Sequence, residues 1–102
     1  MVLLEFSMYP LDKGESLSPY VAKSLDIIDQ SGLDYRCNSM GTVLEGEYNE
    51  VMEVVRKCFE AMSASCNRVE CSMRMDFRKG CKGRLTSKIA SVEQKLGHSV
   101  KQ

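Results

Sequence analysis

Residues 68–78, RVECSMRMDFR, alternate without a break. Val69, Cys71, Met73, Met75 and Phe77 interleave with Arg68, Glu70, Ser72, Arg74, Asp76 and Arg78. A period of two belongs to a half-buried strand, because successive side chains leave a pleated backbone on opposite sides. The apolar side must sit on a core. The other side carries three arginines, two acids and a serine, so it meets water, another subunit or a ligand. A segment this long crosses a whole sheet, and the rest of the chain has to supply the strands and helices around it.

At 102 residues the chain is expected to form one domain, 1–102, able to bury a modest core and small enough to gain from oligomerisation. Its 14 basic and 14 acidic residues cancel, which leaves no net field to draw in nucleic acid or an anionic membrane. No run approaches the ~20 apolar residues that span a bilayer. The start, MVLLEFSMYP, lacks the basic flank and the length of a signal peptide, so a cytosolic location is expected. The five cysteines are an odd set with no C-x-x-C pair and no histidine cluster beside them, and no metal or cofactor is expected. Cys58 and Cys71 fall on apolar faces, as reduced thiols acting as small hydrophobes, while Cys66 and Cys81 lie nearer loops and are open to oxidation.

The first strand spans 2–9, with Val2, Leu4, Phe6 and Met8 on one side and Leu3, Glu5, Ser7 and Tyr9 on the other, and Pro10 ends it. Ser18 and Pro19 read as the cap and first turn of a helix carrying Val21, Leu25 and Ile28, closed at Gly32. Two short strands follow around a turn near Met40 and Gly41, with Tyr35, Cys37 and Leu44 inward and Arg36, Asn38, Val43 and Glu45 outward. Asn49 can cap a second helix with Val51, Val55, Cys58 and Met62 down one side. After the opening strand comes a third amphipathic helix marked by Leu85, Ile89, Val92 and Leu96, stopped at Gly97, and then a tail expected to fray.

The order βαββαβα predicts an α+β, ferredoxin-like sandwich: a four-stranded antiparallel sheet with two helices on one face, plus a C-terminal helix. In that topology the first and last strands are antiparallel neighbours. Glu5, Ser7 and Tyr9 then adjoin Ser72, Arg74 and Asp76 on the open side, with Glu45 arriving from the strand on the other flank. Cross-strand charge pairing, at about 0.2–1 kcal/mol per pair, could account for that face if it stays wet. Leu3, Tyr9 and Val43 add apolar area to it, which favours a covering partner sheet.

The motifs YPL, SLSPYV, SGLDY, MGTVLEGE, EVMEVV, RVECSMRMDFR and LTSKIASVEQKL, in that order and spacing, make the chain similar to the small thiamine-binding proteins related to YkoF. The resemblance covers nearly the whole length. It implies a ferredoxin-like fold pairing sheet to sheet into a homotetramer, with thiamine (vitamin B1) or its hydroxymethylpyrimidine moiety held in a pocket of the assembly, and no catalysis. Asp12 departs from the glycine usual in relatives, and Tyr9 from a smaller aliphatic residue, so the loop from Pro10 to Ser16 is expected to differ in shape.

Thiamine presents a flat aminopyrimidine and a permanently cationic thiazolium, which call for an apolar slot, directed donors and acceptors, and an anionic neighbour. Tyr9 can supply a ring face, and Asp76 or Glu45 can face the cation. Ser7, Asn38 and Thr42 can orient the ligand by hydrogen bonds. Each has a plainer alternative: Thr42 sets the hairpin, Glu45 caps the sheet end or pairs with Arg36, and Tyr9 packs at a strand end. Arg74 and Arg78 can bridge subunits as well as touch ligand. RKGCKGR, 78–84, lacks phosphate-loop spacing and reads as a solvated loop. The sole histidine, His98, stands in the tail, away from any constellation that needs a general base. The rival to ligand binding is an interaction module whose open face serves only assembly.

Overall fold

Residues 1–80 and 82–102 are described by the structure, a computed structural model. The expectation for Cys81 lies outside them. The elements are β1 (Val2–Pro10), α1 (Ser18–Gln30), β2 (Asp34–Asn38), β3 (Gly41–Gly46), α2 (Tyr48–Ser63), β4 (Val69–Phe77) and α3 (Arg84–Leu96). They form a ferredoxin-like α+β fold with sheet order β2-β3-β1-β4, every neighbour antiparallel.

Strand parity decides the layers. Val2, Leu4, Phe6 and Met8 of β1 and Leu44 of β3 turn to one face, where α1 and α2 bring Ile28, Val51, Val54, Val55, Cys58 and Met62. Each large apolar side chain so buried contributes roughly 1.5–3 kcal/mol of transfer free energy. The opposite face is partly covered from within the chain. α3 lies on it at one end, over Leu3 and Val43, which border a crevice with Leu85 and Ile89.

Both predicted helix caps are displaced. α1 begins behind Leu17 with Pro19 in its first turn, and no side chain caps it. α2 starts at Glu47 instead of Asn49, because the Glu50 carboxylate reaches back and accepts a hydrogen bond from the Glu47 N–H at 3.0 Å. Gly32 and Gly97 do close α1 and α3 with positive φ. The tail is tied down: the Val100 N–H donates to Glu93 Oε2 at 2.7 Å, and Arg36 Nη1 donates to Gln102 Oε1 at 2.8 Å.

The largest correction concerns β4. Its alternation is real, but the strand lies at the sheet edge and only its start, at Val69, packs against the helix-covered core. Met73, Met75 and Phe77 are 47%, 40% and 62% exposed. Cys71 is exposed with them, whereas Cys66, expected near a loop, is buried in the core cluster. Burial holds the Cys58 thiol above its ordinary pKa, and the partly enclosed Cys71 sulfur shifts the same way. Neither is a ready thiolate.

Leu44→Ala should therefore cost about 2–5 kcal/mol in urea unfolding, as core truncations do. Met75→Ala, on the same face two strands away, should cost less than about 1 kcal/mol. Equal losses at the two positions would contradict the exposed edge.

Candidate functional site

β1 pairs with β3 only from Val2↔Gly46 to Phe6↔Thr42, while its pairing with β4 continues to Pro10↔Val69. Where β3 stops, β1 borders open space edge-on. A cavity of about 260 Å³ occupies that space, with Phe6, Ser7, Met8 and Tyr9 on the β1 side. α1 supplies Leu17, Val21, Ser24, Leu25 and Ile28, and the hairpin supplies residues 37–42. This is why Val21, on the apolar stripe of α1, is 41% exposed: it faces the cavity instead of packed atoms.

Gly41 shapes the opening. A Cβ there would stand 2.9 Å from the Phe6 carbonyl oxygen, so only glycine lets the hairpin tip lie this close to β1. Thr42 is 8% exposed and presents a hydroxyl in a largely apolar wall. Ser7, Ser24, Asn38 and Ser39 add short polar groups, and no charged residue is in the lining. The arrangement suits a small neutral ring fixed by a few hydrogen bonds.

Four of the seven sequence candidates, Ser7, Tyr9, Asn38 and Thr42, therefore come together. Glu45 and Asp76 do not join them. Glu45, 5% exposed, neither caps the sheet end nor pairs with Arg36. Its carboxylate accepts the Arg84 N–H at 2.7 Å and the Leu85 N–H at 3.4 Å, at the start of α3. Gly83, the residue before that helix, has no side chain to do this, and the buried carboxylate takes its place at the positive end of the helix dipole.

Asp76 holds the same helix from the other flank. Its carboxylate accepts from Arg84 Nη1 at 2.9 Å and Lys88 Nζ at 2.8 Å, and its main-chain oxygen accepts from Arg84 Nη2 at 2.7 Å. Lys88 foremost, with Arg84, holds the Asp76 carboxyl below its ordinary pKa. Arg74 stays exposed, opposite Glu5 in the ladder, beside a shallow groove of about 160 Å³ that also reaches Ser7 and Ser72. Arg78, just past β4, is exposed as well. Asp12 also has a visible role: its carboxylate accepts the Asn67 N–H at 2.7 Å, which depresses its pKa and pins the Pro10–Ser16 loop to the start of β4.

Residues 4–93 match the thiamine-binding protein family. The chain belongs to that family. Among its similar relatives is a UPF0045 protein of Mycobacterium bovis, 38% identical over 93% of this chain and 94% of its own length. The crystal structure of a hypothetical protein from Methanocaldococcus jannaschii superposes with a TM-score of 0.84 at 31% identity, covering 91% of this chain and 96% of that one. A domain of unknown function from Bacillus cereus follows at 0.79 and 26%, over 92% and 91% of the two chains. The thiamine-binding family thus spans both the strands that frame the cavity and most of α3.

Sequence reasoning missed the α1 wall of the site, Leu17, Val21 and Ser24, because a helical stripe does not say whether it faces atoms or a hole. It also missed the anchoring of α3 by Glu45, although a carboxylate on an outward strand position and a helix starting behind a bare glycine were both visible.

Asp76 gives that anchoring a pH signature. Its folded pKa is depressed, so its contribution is fully present above the unfolded-state value near 3.8 and is lost as pH falls through the lower folded value. Protection of the Leu85–Ile89 amides, measured relative to the intrinsic exchange rate at each pH, should hold at neutral pH and drop only in acid below the ordinary carboxylate range. Asp76→Asn should lower that protection at neutral pH and remove that part of the acid dependence.

Proposed function

We propose that the chain binds thiamine, or its hydroxymethylpyrimidine moiety, without converting it, in the cavity bounded by β1, α1 and the β2–β3 hairpin. Membership of the thiamine-binding protein family together with this cavity, small and uncharged in its lining, is the observation that carries the reading. At about 260 Å³ the space lies just under the usual range of roughly 300–1,000 Å³ for ligand pockets. It suits the neutral aminopyrimidine ring better than the whole vitamin, so the thiazolium points toward the mouth. Thr42, Asn38 and Ser7 orient the ring, and Tyr9 lies along its edge.

In this reading Glu45 and Asp76 act on the ligand only through the placement of α3. Arg74 serves the contact with a neighbouring copy. The half of the open face beyond α3, carrying Glu5, Ser72 and Arg74, pairs sheet to sheet in a homotetramer. The reading without catalysis is supported by a cavity lining that, among the described residues, holds no histidine, aspartate or glutamate to act as general base, and by the exposed position of His98 outside it. A cytoplasmic location accords with helices too short or too polar, among the described residues, to cross a membrane.

Calorimetric titration with thiamine, its phosphates and hydroxymethylpyrimidine decides the reading. Thr42→Val should weaken binding by about 1–1.5 kcal/mol, close to tenfold in Kd, with the oligomer intact. Absence of heat from every ligand at millimolar concentration sinks the proposal. An open face that serves only assembly would instead show mass changes in Arg74 variants with no ligand response at all.

A further inference from the structure

We infer that the crevice between α3 and the open face of the sheet binds a small organic carboxylate, its apolar body resting on Leu3, Val43, Leu85 and Ile89 and its charge held by Arg36 with Lys101. The inference does not depend on what occupies the cavity between β1 and α1.

The crevice measures about 410 Å³, inside the usual range of roughly 300–1,000 Å³ for ligand pockets. Leu3 and Val43, on the open side of the sheet, give it an apolar floor, and Leu85 and Ile89, one turn apart on α3, continue that surface up the wall. The charged residues of the lining, among the described residues, are all basic: Arg36, Arg84, Lys88 and Lys101. An apolar floor under a rim of one sign selects an occupant with an apolar body and an anionic end. The uncharged cavity on the other side of the hairpin selects the opposite.

Two of the four cations are already engaged, since Arg84 and Lys88 share the Asp76 carboxylate. Arg36 and Lys101 have no acidic partner among the described residues. Arg36 stands opposite Val43 in the ladder, so its guanidinium rises beside the apolar floor. It gives one donor to Gln102 Oε1 at 2.8 Å and keeps the rest of its fork. That neutral oxygen marks where an acceptor sits at the mouth. A carboxylate in its place makes the charge-assisted, two-pronged contact that an amide oxygen cannot.

The same geometry disfavours phosphate. A helix start holds phosphate through its free amides, and here the Arg84 and Leu85 N–H groups already donate to Glu45. What remains is a planar fork and a single free ammonium, which match one carboxylate.

Amide NMR spectra of the whole chain, recorded during titration with phenylpropionate, test this. Phenylpropionate should give saturable shifts at Arg36, Leu85 and Ile89. Acetate and inorganic phosphate, which lack the body, and phenylpropanol, which lacks the charge, should each bind at least roughly tenfold more weakly. Arg36→Gln should weaken phenylpropionate by roughly tenfold and leave phenylpropanol unchanged. Absence of a saturable shift at millimolar phenylpropionate, equal affinity for inorganic phosphate or phenylpropanol, or full affinity in Arg36→Gln overturns the inference. If Arg36→Gln fails to fold by circular dichroism, Lys101→Glu in the exposed tail replaces it with the same loss expected, and unchanged affinity there overturns the inference.

Discussion

β1 has a neighbour on each side, but the two are unequal in length. β3 accompanies it through five residue pairs and β4 through nine. Most of what is distinctive in this molecule follows from that inequality. Where β3 ends early, the sheet has a notch, and the cavity occupies it between β1, α1 and the hairpin tip. Where β4 runs the full length, all of it past Val69 lies beyond the reach of the two helices, whose packing centres on β1 and β3. The same shortfall of covering structure thus leaves a hole at one place and an uncovered apolar stripe at another. At the rim of the notch Gly41 lets the hairpin tip lie against the Phe6 carbonyl, where a Cβ would stand 2.9 Å from the oxygen.

The fold was legible because parity and helical spacing are local properties. Val2, Leu4, Phe6 and Met8 could not serve a helix, and Val51, Val55, Cys58 and Met62 could not serve a strand, so order and topology followed. Burial was less legible. The alternation in RVECSMRMDFR tells which side of β4 faces the helices, but not whether the helices reach it. That depends on the strand's rank in the sheet and on helix placement, both non-local. Cys71 and Cys66 were exchanged in consequence: the one on a regular apolar face is exposed, and the one near a loop is in the core.

Helix starts show a second limit. Ser18 and Asn49 have the side chains that favour caps, yet α1 starts behind Leu17 and α2 behind Glu47. In α2 a longer reach, Glu50 to the Glu47 N–H, does the same work one turn in. At α3 the cap comes from residue 45, nearly forty positions away, and no local motif could announce it. Of the candidate site, the β1 and hairpin members were readable from their short polar side chains beside a turn. The α1 members were hidden in an ordinary amphipathic stripe.

The position of the acids bears on what the site can hold. A carboxylate that is 5% exposed and bonded to two helix amides is not available to a ligand without uncapping α3, and exposing those amides and moving that charge would cost several kcal/mol. Asp76 is less buried but shared between two cations and equally committed. Of the acids on the open face, Glu45 and Asp76 are therefore engaged in holding α3 down, Glu5 stands opposite Arg74 in the ladder, and the cavity lining, among the described residues, carries no charge. A cationic ligand would gain nothing electrostatic from within this cavity, whereas a neutral ring loses little on leaving water and can use the hydroxyl of Thr42. Affinity for a cation would then have to arise at the mouth, where Glu5 and Ser7 border the adjoining groove and where a neighbouring copy could add its own charges.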